Sequence, residues 1–278
     1  MLARERINRM NKLIIIFIVA AALGAYAERP PLPGAYRHNA EARQKQNKDQ
    51  EKTKKKLAQY KTGEGVCGTR VWKEYTANPK EKGEPTLLVV FGGRDAVNRG
   101  EGPAPSIPPA IERALDYARC RAKIGKLIVL VPEMTVARKI GGGRRGLEEP
   151  SDDGIAKLVR SRAEAHGVKP PRIIATGFSM GGGLLLSLLN NDPTLFSRAL
   201  VVGASGKTDA ITDIKAEVLS YHGENDDLIP IARVKAYAEA LCEKRPQAMK
   251  VEVLTKTGHA ESEKVAYSKP DVWKWLFR

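Results

Sequence analysis

From Thr69 to the end of the chain, short apolar runs rich in β-branched residues alternate with longer stretches whose apolar positions recur every three or four residues. That alternation predicts an α/β fold with a mostly parallel central sheet and helices on both faces. The predicted strands are Arg70 to Tyr75, Leu87 to Phe91, Leu127 to Val131, Arg172 to Thr176, Arg198 to Val202, Val218 to His222 and Val251 to Leu254. Between them the spacing predicts helices over Ser106 to Arg121, Asp152 to Ala165, Met180 to Asn190, Ile231 to Lys244 and Lys264 to Phe277. Ser151-Asp152-Asp153 reads as an N-cap with acid in the first turn, and Gly167 sits where a helix stops. A chain of 278 residues that is 42% hydrophobic can bury a sizeable core.

The first residues follow a different pattern. Arg4, Arg6, Arg9 and Lys12 precede an uncharged apolar run from Leu13 to Gly24, and Ala25-Tyr26-Ala27 follows. This is the layout of a secretory signal peptide over residues 1–27 cut after Ala27, with Met10 as an alternative start. The apolar run is shorter than the ~20 residues that cross a bilayer, so export with cleavage is preferred to an uncleaved anchor. A secreted or periplasmic location is the expectation.

The formal charge of +15 changes the picture at one place: from Arg37 to Lys61, nine Lys/Arg stand against three Asp/Glu. Together with Arg29-Pro30-Pro31-Leu32-Pro33 this predicts a basic linker over residues 28–66, solvated and disordered or loosely helical. The catalytic domain is expected over 67–278. Neither interleaved aromatics nor a reading helix accompanies the basic run, so no nucleic-acid partner is expected. Weak contact with an anionic envelope polymer or lipid is the minority reading. Cys67, Cys120 and Cys242 show no metal-binding or redox spacing, and no disulfide is assigned among them.

The candidate chemistry lies in Arg172-Ile173-Ile174-Ala175-Thr176-Gly177-Phe178-Ser179-Met180-Gly181-Gly182-Gly183, a strand running through G-x-S-x-G into a helix. A serine on such a strained turn needs small residues two positions to either side, and Gly177 and Gly181 supply them. The turn would lift the Ser179 hydroxyl out at the carboxyl edge of the sheet.

A hydroxyl becomes a nucleophile only beside a base, and the chain has four histidines. His38 lies in the basic linker, His166 reads as a surface or helix-capping residue, and His222 as support for the turn that follows its strand. His259, in Thr257-Gly258-His259-Ala260 after the strand ending at Leu254, is the expected general base. An imidazole in that role needs a carboxylate to fix its tautomer. Asp226 in His222-Gly223-Glu224-Asn225-Asp226-Asp227 is assigned to this, with Asp227 and Glu224 read as solvated or turn-capping. The expected oxyanion donors are the amides of Met180 and of Gly93 in Phe91-Gly92-Gly93-Arg94, with Arg94 as the other candidate for the second donor. Gly141-Gly142-Gly143-Arg144-Arg145-Gly146 is expected to border the site, its arginines solvated or drawing in an anionic substrate.

On these motifs, Thr69 to Arg278 resembles secreted esterases of the α/β-hydrolase superfamily, such as feruloyl esterases, acetyl xylan esterases and polyhydroxybutyrate depolymerase-like proteins. It also resembles dienelactone hydrolases and the catalytic domain of prolyl oligopeptidases. The order Ser179, Asp226, His259 is the order of that fold. The chain departs from its relatives in carrying Phe91-Gly92 where many have His-Gly. The resemblance implies an acyl-enzyme mechanism on a small soluble or carbohydrate-linked ester, without cofactor or metal. A peptidase or acyltransferase using the same three residues is the alternative, and a non-catalytic envelope-binding protein on the same fold is another. The short stretch Gly203 to Glu217 leaves no room for a large helical lid.

Overall fold

The computed structural model describes residues 35–67, 70–96, 106–121, 124–134, 138–140, 144–146 and 154–278. The signal-peptide segment 1–27, the cap Ser151-Asp152-Asp153 and Gly141–Gly143 therefore lie outside the described residues.

Eight strands form one open sheet: β1 (Lys61–Cys67), β2 (Arg70–Ala77), β3 (Thr86–Phe91), β4 (Leu127–Pro132), β7 (Ile173–Phe178), β8 (Arg198–Val202), β9 (Glu217–Gly223) and β10 (Met249–Leu254). A separate hairpin pairs β5 (Arg138–Ile140) with β6 (Arg144–Gly146). The order across the sheet is β1-β2-β4-β3-β7-β8-β9-β10. From β4 to β10 every neighbour is parallel, while β2 runs antiparallel to both β4 and β1.

All six residues of β3 and of β7 are buried. A strand covered on both faces must be apolar throughout rather than alternating, which explains Leu-Leu-Val-Val-Phe and Ile-Ile-Ala-Thr-Gly-Phe. One face is covered by α3 (Ile155–Ala165), α4 (Met180–Asn191) and α5 (Ile231–Lys244), through residues such as Leu158, Leu185 and Tyr237. The other is covered by α2 (Pro109–Arg119), α6 (His259–Ser268) and α7 (Pro270–Leu276), through Ile111, Tyr267 and Trp273.

Of the two forms expected for the basic segment, the helical one is described over Ala35–Leu57, α1, whose last turn holds Lys54, Lys55 and Lys56. Cations there complement the negative end of the helix dipole. Two expectations need correction. The globular part does not begin at 67. Gln50–Arg278 form one compact unit, in which Leu57 is 3% exposed, Gln50 accepts a hydrogen bond from the Ile107 amide at 2.7 Å, and Lys56 pairs with Glu112.

Strand β1 has the sequence Lys-Thr-Gly-Glu-Gly-Val-Cys, which carries little apolar signal. Its glycines serve the neighbouring strand: Gly63 pairs with Glu74 and Gly65 with Trp72. A Cβ at Gly65 would lie 2.7 Å from the Trp72 ring. Trp72 lies over that bare backbone and packs under the Arg162 guanidinium, 4.2 Å from its ring centre, while Arg162 also reaches Glu74 at 3.1 Å.

The last predicted helix is two helices. Pro270 lacks an N–H and forces the preceding residue out of the helical region, and Lys269 is accordingly extended (φ −79°, ψ 120°) between α6 and α7. Helix α6 also starts earlier than Lys264, at His259. Helix α3 starts at Ile155 behind Gly154 (φ 80°) and ends before Gly167 (φ 65°), the stop residue expected there.

Candidate active site

Ser179 stands between the last residue of β7 and the first of α4, with φ 52° and ψ −119°. An L-residue at positive φ carries strain of about 1–3 kcal/mol, which the surroundings must hold. They do so through packing too tight for side chains. A Cβ at Gly177 would come 2.5 Å from the Gly181 carbonyl, and one at Gly181 would collide with the Gly92 carbonyl. The Ser179 amide donates to Val202 at 2.9 Å, tying the turn to β8.

Asp226 sits in the turn after β9, its side chain fully buried. Its Oδ1 accepts the amides of Leu228 at 3.0 Å and Ile229 at 2.8 Å, which fixes the plane of the carboxylate. Gly223 allows the loop after β10 to approach, since a Cβ there would strike the Thr257 carbonyl. That loop is then stitched to the turn: Asn225 donates to Thr257 and Glu224 to Leu254, both at 2.9 Å. Glu224 also caps the loop by accepting the Lys256 amide at 2.9 Å, and Asp227 is exposed, as expected for both.

His259 opens α6 directly after this loop. Its Nδ1 is 2.7 Å from Asp226 Oδ2 and its Nε2 is 2.8 Å from Ser179 Oγ. Facing a carboxylate, Nδ1 is the donor, so Nε2 is left as acceptor for the serine proton. The three residues read from the sequence are thus joined in series by two hydrogen bonds. The Phe178 ring packs against the imidazole at 5.1 Å between centroids.

The remaining sequence candidates fall around this series. Gly92 and Gly93 lie on the turn: a Cβ at Gly93 would sit 2.9 Å from the Phe178 ring. Met180 and Arg94 border, with Ser179, a cleft of about 400 Å³. Leu184 and Ile229 supply part of its wall, and Arg94, Lys207 and Arg233 are the charged residues among those lining it. His166 caps α3 as expected, but its ring is not simply on the surface, since Nε2 lies 3.0 Å from Glu74. Among the described residues no His/Cys/Asp/Glu group could hold a metal ion, and the three cysteines are free.

The fold is the α/β-hydrolase fold. Over 80% of its length the chain superposes on a thermostable esterase with a TM-score of 0.63 at 19% identity, spanning 63% of that protein's length. A putative dienelactone hydrolase from Klebsiella pneumoniae is matched over 78% of this chain and 98% of its own, with a TM-score of 0.56 and 21% identity. Est1E from Butyrivibrio proteoclasticus gives 0.52 at 12% identity, over 77% of this chain and 97% of its own. Residues 139–274 match the sequence model of the dienelactone hydrolase family. No curated protein matches by sequence.

Two features of this α/β-hydrolase fold escape the sequence. His222 supports its turn, as expected, by donating from Nε2 to the Ile229 carbonyl at 2.7 Å, but it also lies 3.2 Å from Asp226 Oδ2. Glu263, one helical turn after His259, is pushed up to about 8 by burial, with the negative charge of Asp95 adding to the effect and Lys264 opposing it. No sequence pattern marks either, because one depends on how the turn after β9 folds back on its strand and the other on the burial of a helical side chain.

Glu263 makes a signed prediction. Its carboxyl titrates near 4.5 when exposed and near 8 in the folded protein. Below pH 4.5 the proton is bound in both states; between 4.5 and 8 only the unfolded chain releases it, so stability falls as pH rises, and above 8 the loss is complete. Glu263→Gln is expected to leave the melting temperature unchanged at pH 4 and to raise it by roughly 5 °C at pH 9, read by thermal denaturation.

Proposed function

We propose that this protein is an exported serine esterase that cleaves a small soluble or carbohydrate-linked ester through an acyl-enzyme. The observation that carries the reading is the unbroken series Ser179 Oγ, His259, Asp226 at 2.8 and 2.7 Å. As the Ser179 oxygen attacks the ester carbonyl, His259 Nε2 takes its proton, and buried Asp226 stabilises the imidazolium that forms. The amides of Met180 and Gly93 receive the oxyanion. His259 then returns the proton to the leaving alcohol, and water releases the acyl group by the same route.

The family match over residues 139–274 supports hydrolysis, and the esterase neighbours share the fold that presents these residues. Between β8 and β9 the chain has only one 3-10 turn, Thr208–Ala210, beside the cleft. That favours a monomeric substrate over a lipid interface. Export is read from residues 1–27, and the basic segment from Arg37 is read as a solvated stretch, with weak contact to anionic envelope polymers or lipid as the secondary reading.

The test is labelling with a fluorophosphonate, which phosphonylates an activated serine. A mass shift confined to the peptide containing Ser179, with loss of p-nitrophenyl acetate turnover in step with labelling, is the expected result. Folded protein that neither labels nor releases p-nitrophenol would overturn the reading.

A further inference from the structure

We propose that His222 is a positioning residue for the Ser179–His259–Asp226 series, acting through the carboxylate rather than on substrate. The proposal rests on the esterase reading above. His222 is fully buried, and its Nε2 faces two acceptors, the Ile229 carbonyl at 2.7 Å and Asp226 Oδ2 at 3.2 Å. Its Nδ1 is buried without a hydrogen-bond partner among the described residues. A proton on Nδ1 would be stranded in the core, whereas one on Nε2 is donated to the Ile229 carbonyl and stands beside Asp226 Oδ2, so the ring carries its proton on Nε2.

Two consequences follow from that single N–H. It brings its positive end to within 3.2 Å of Oδ2, the oxygen that His259 Nδ1 approaches at 2.7 Å. A positive dipole so placed offsets part of the carboxylate's charge and moderates its grip on the imidazolium that His259 becomes during turnover. It also anchors Ile229 by the carbonyl while the amide of the same residue holds Oδ1 at 2.8 Å. His222 therefore acts on the carboxylate at both oxygens, through its nearby N–H at one and through Ile229 at the other.

Among the described residues, the surroundings contain little else that could titrate into this arrangement. Glu224 and Asp227 of the turn are exposed, as is Arg233 on α5. From β10 the residue paired with His222 is Val253, and the adjacent Glu252 is engaged by Lys250 at 2.6 Å. From β8, Val202 pairs with Tyr221. Asp226 and His259 are the titratable groups in series with His222.

The experiment compares His222→Leu, which removes the donor, with His222→Gln, which returns an N–H at similar reach. The readout is kcat/KM for p-nitrophenyl acetate from pH 5 to 9. The leucine variant is expected to shift the pH of half-maximal kcat/KM upward by about half a pH unit or more, because the imidazolium is then held more tightly. The glutamine variant is expected to stay near wild type. An unshifted acid limb in the leucine variant, or an equal shift in both, would overturn the proposal and leave a purely structural turn support.

If the leucine variant does not fold, nitrogen-15 NMR of the wild-type histidines decides. A His222 ring protonated on Nε2 across this range is expected, and one protonated on Nδ1 refutes the proposal, since no N–H would then face Asp226. Failure of the underlying esterase reading is distinguishable, because Ser179→Ala would then keep its activity whatever His222 does.

Discussion

Ser179→Ala is expected to lower kcat for p-nitrophenyl acetate by roughly a million-fold, to a residual rate set by binding and the oxyanion donors alone. The methyl group keeps the backbone at positive φ but offers no nucleophile and no partner for His259 Nε2, which now sits 2.8 Å from the serine oxygen. Stability should change by less than about 1 kcal/mol, because no packed volume is lost. Stopped-flow and long-incubation assays on protein with an unchanged circular dichroism spectrum make the measurement. Activity within a hundred-fold of wild type would remove Ser179 from the mechanism.

Asp226→Asn should cost about 10^4-fold in kcat while leaving KM nearly unchanged. The structure dictates how the new amide must lie. Leu228 and Ile229 both donate to Oδ1, so the carbonyl oxygen of the asparagine takes that place and its NH2 falls where Oδ2 was. The NH2 then confronts His259 Nδ1 and His222 Nε2, two donors in the wild type. His259 can keep a hydrogen bond only by moving its proton to Nε2, the nitrogen that has to accept from Ser179. A loss of less than ten-fold would mean that another group orients the ring.

Much of this arrangement is legible in the sequence because it is local. Gly177-Phe178-Ser179-Met180-Gly181 announces the turn through steric need, and the apolar runs of β3, β7 and β8 announce a sheet covered on both faces. Asp226 and His259 are legible because each follows a strand end. What escapes the sequence is written across the sheet. Strand β1 owes its glycines to Trp72 and Glu74 on the next strand, so composition reads it as loop. Helix α1 is polar nearly throughout, and its globular end begins only where Gln50 and Leu57 find partners in distant segments. The break at Lys269 was readable from Pro270, and the helical period on either side of it conceals the interruption.

The order of strands assigns unequal security to the three residues. Ser179 leaves β7, which has strands on both sides, whereas His259 follows β10, bonded to β9 alone. A border strand opens more readily than an interior one, since fewer bonds must break together. The base is therefore mounted beside an edge of the sheet and the nucleophile beside an interior strand, so warming is expected to disconnect the proton relay while the hydroxyl is still in place.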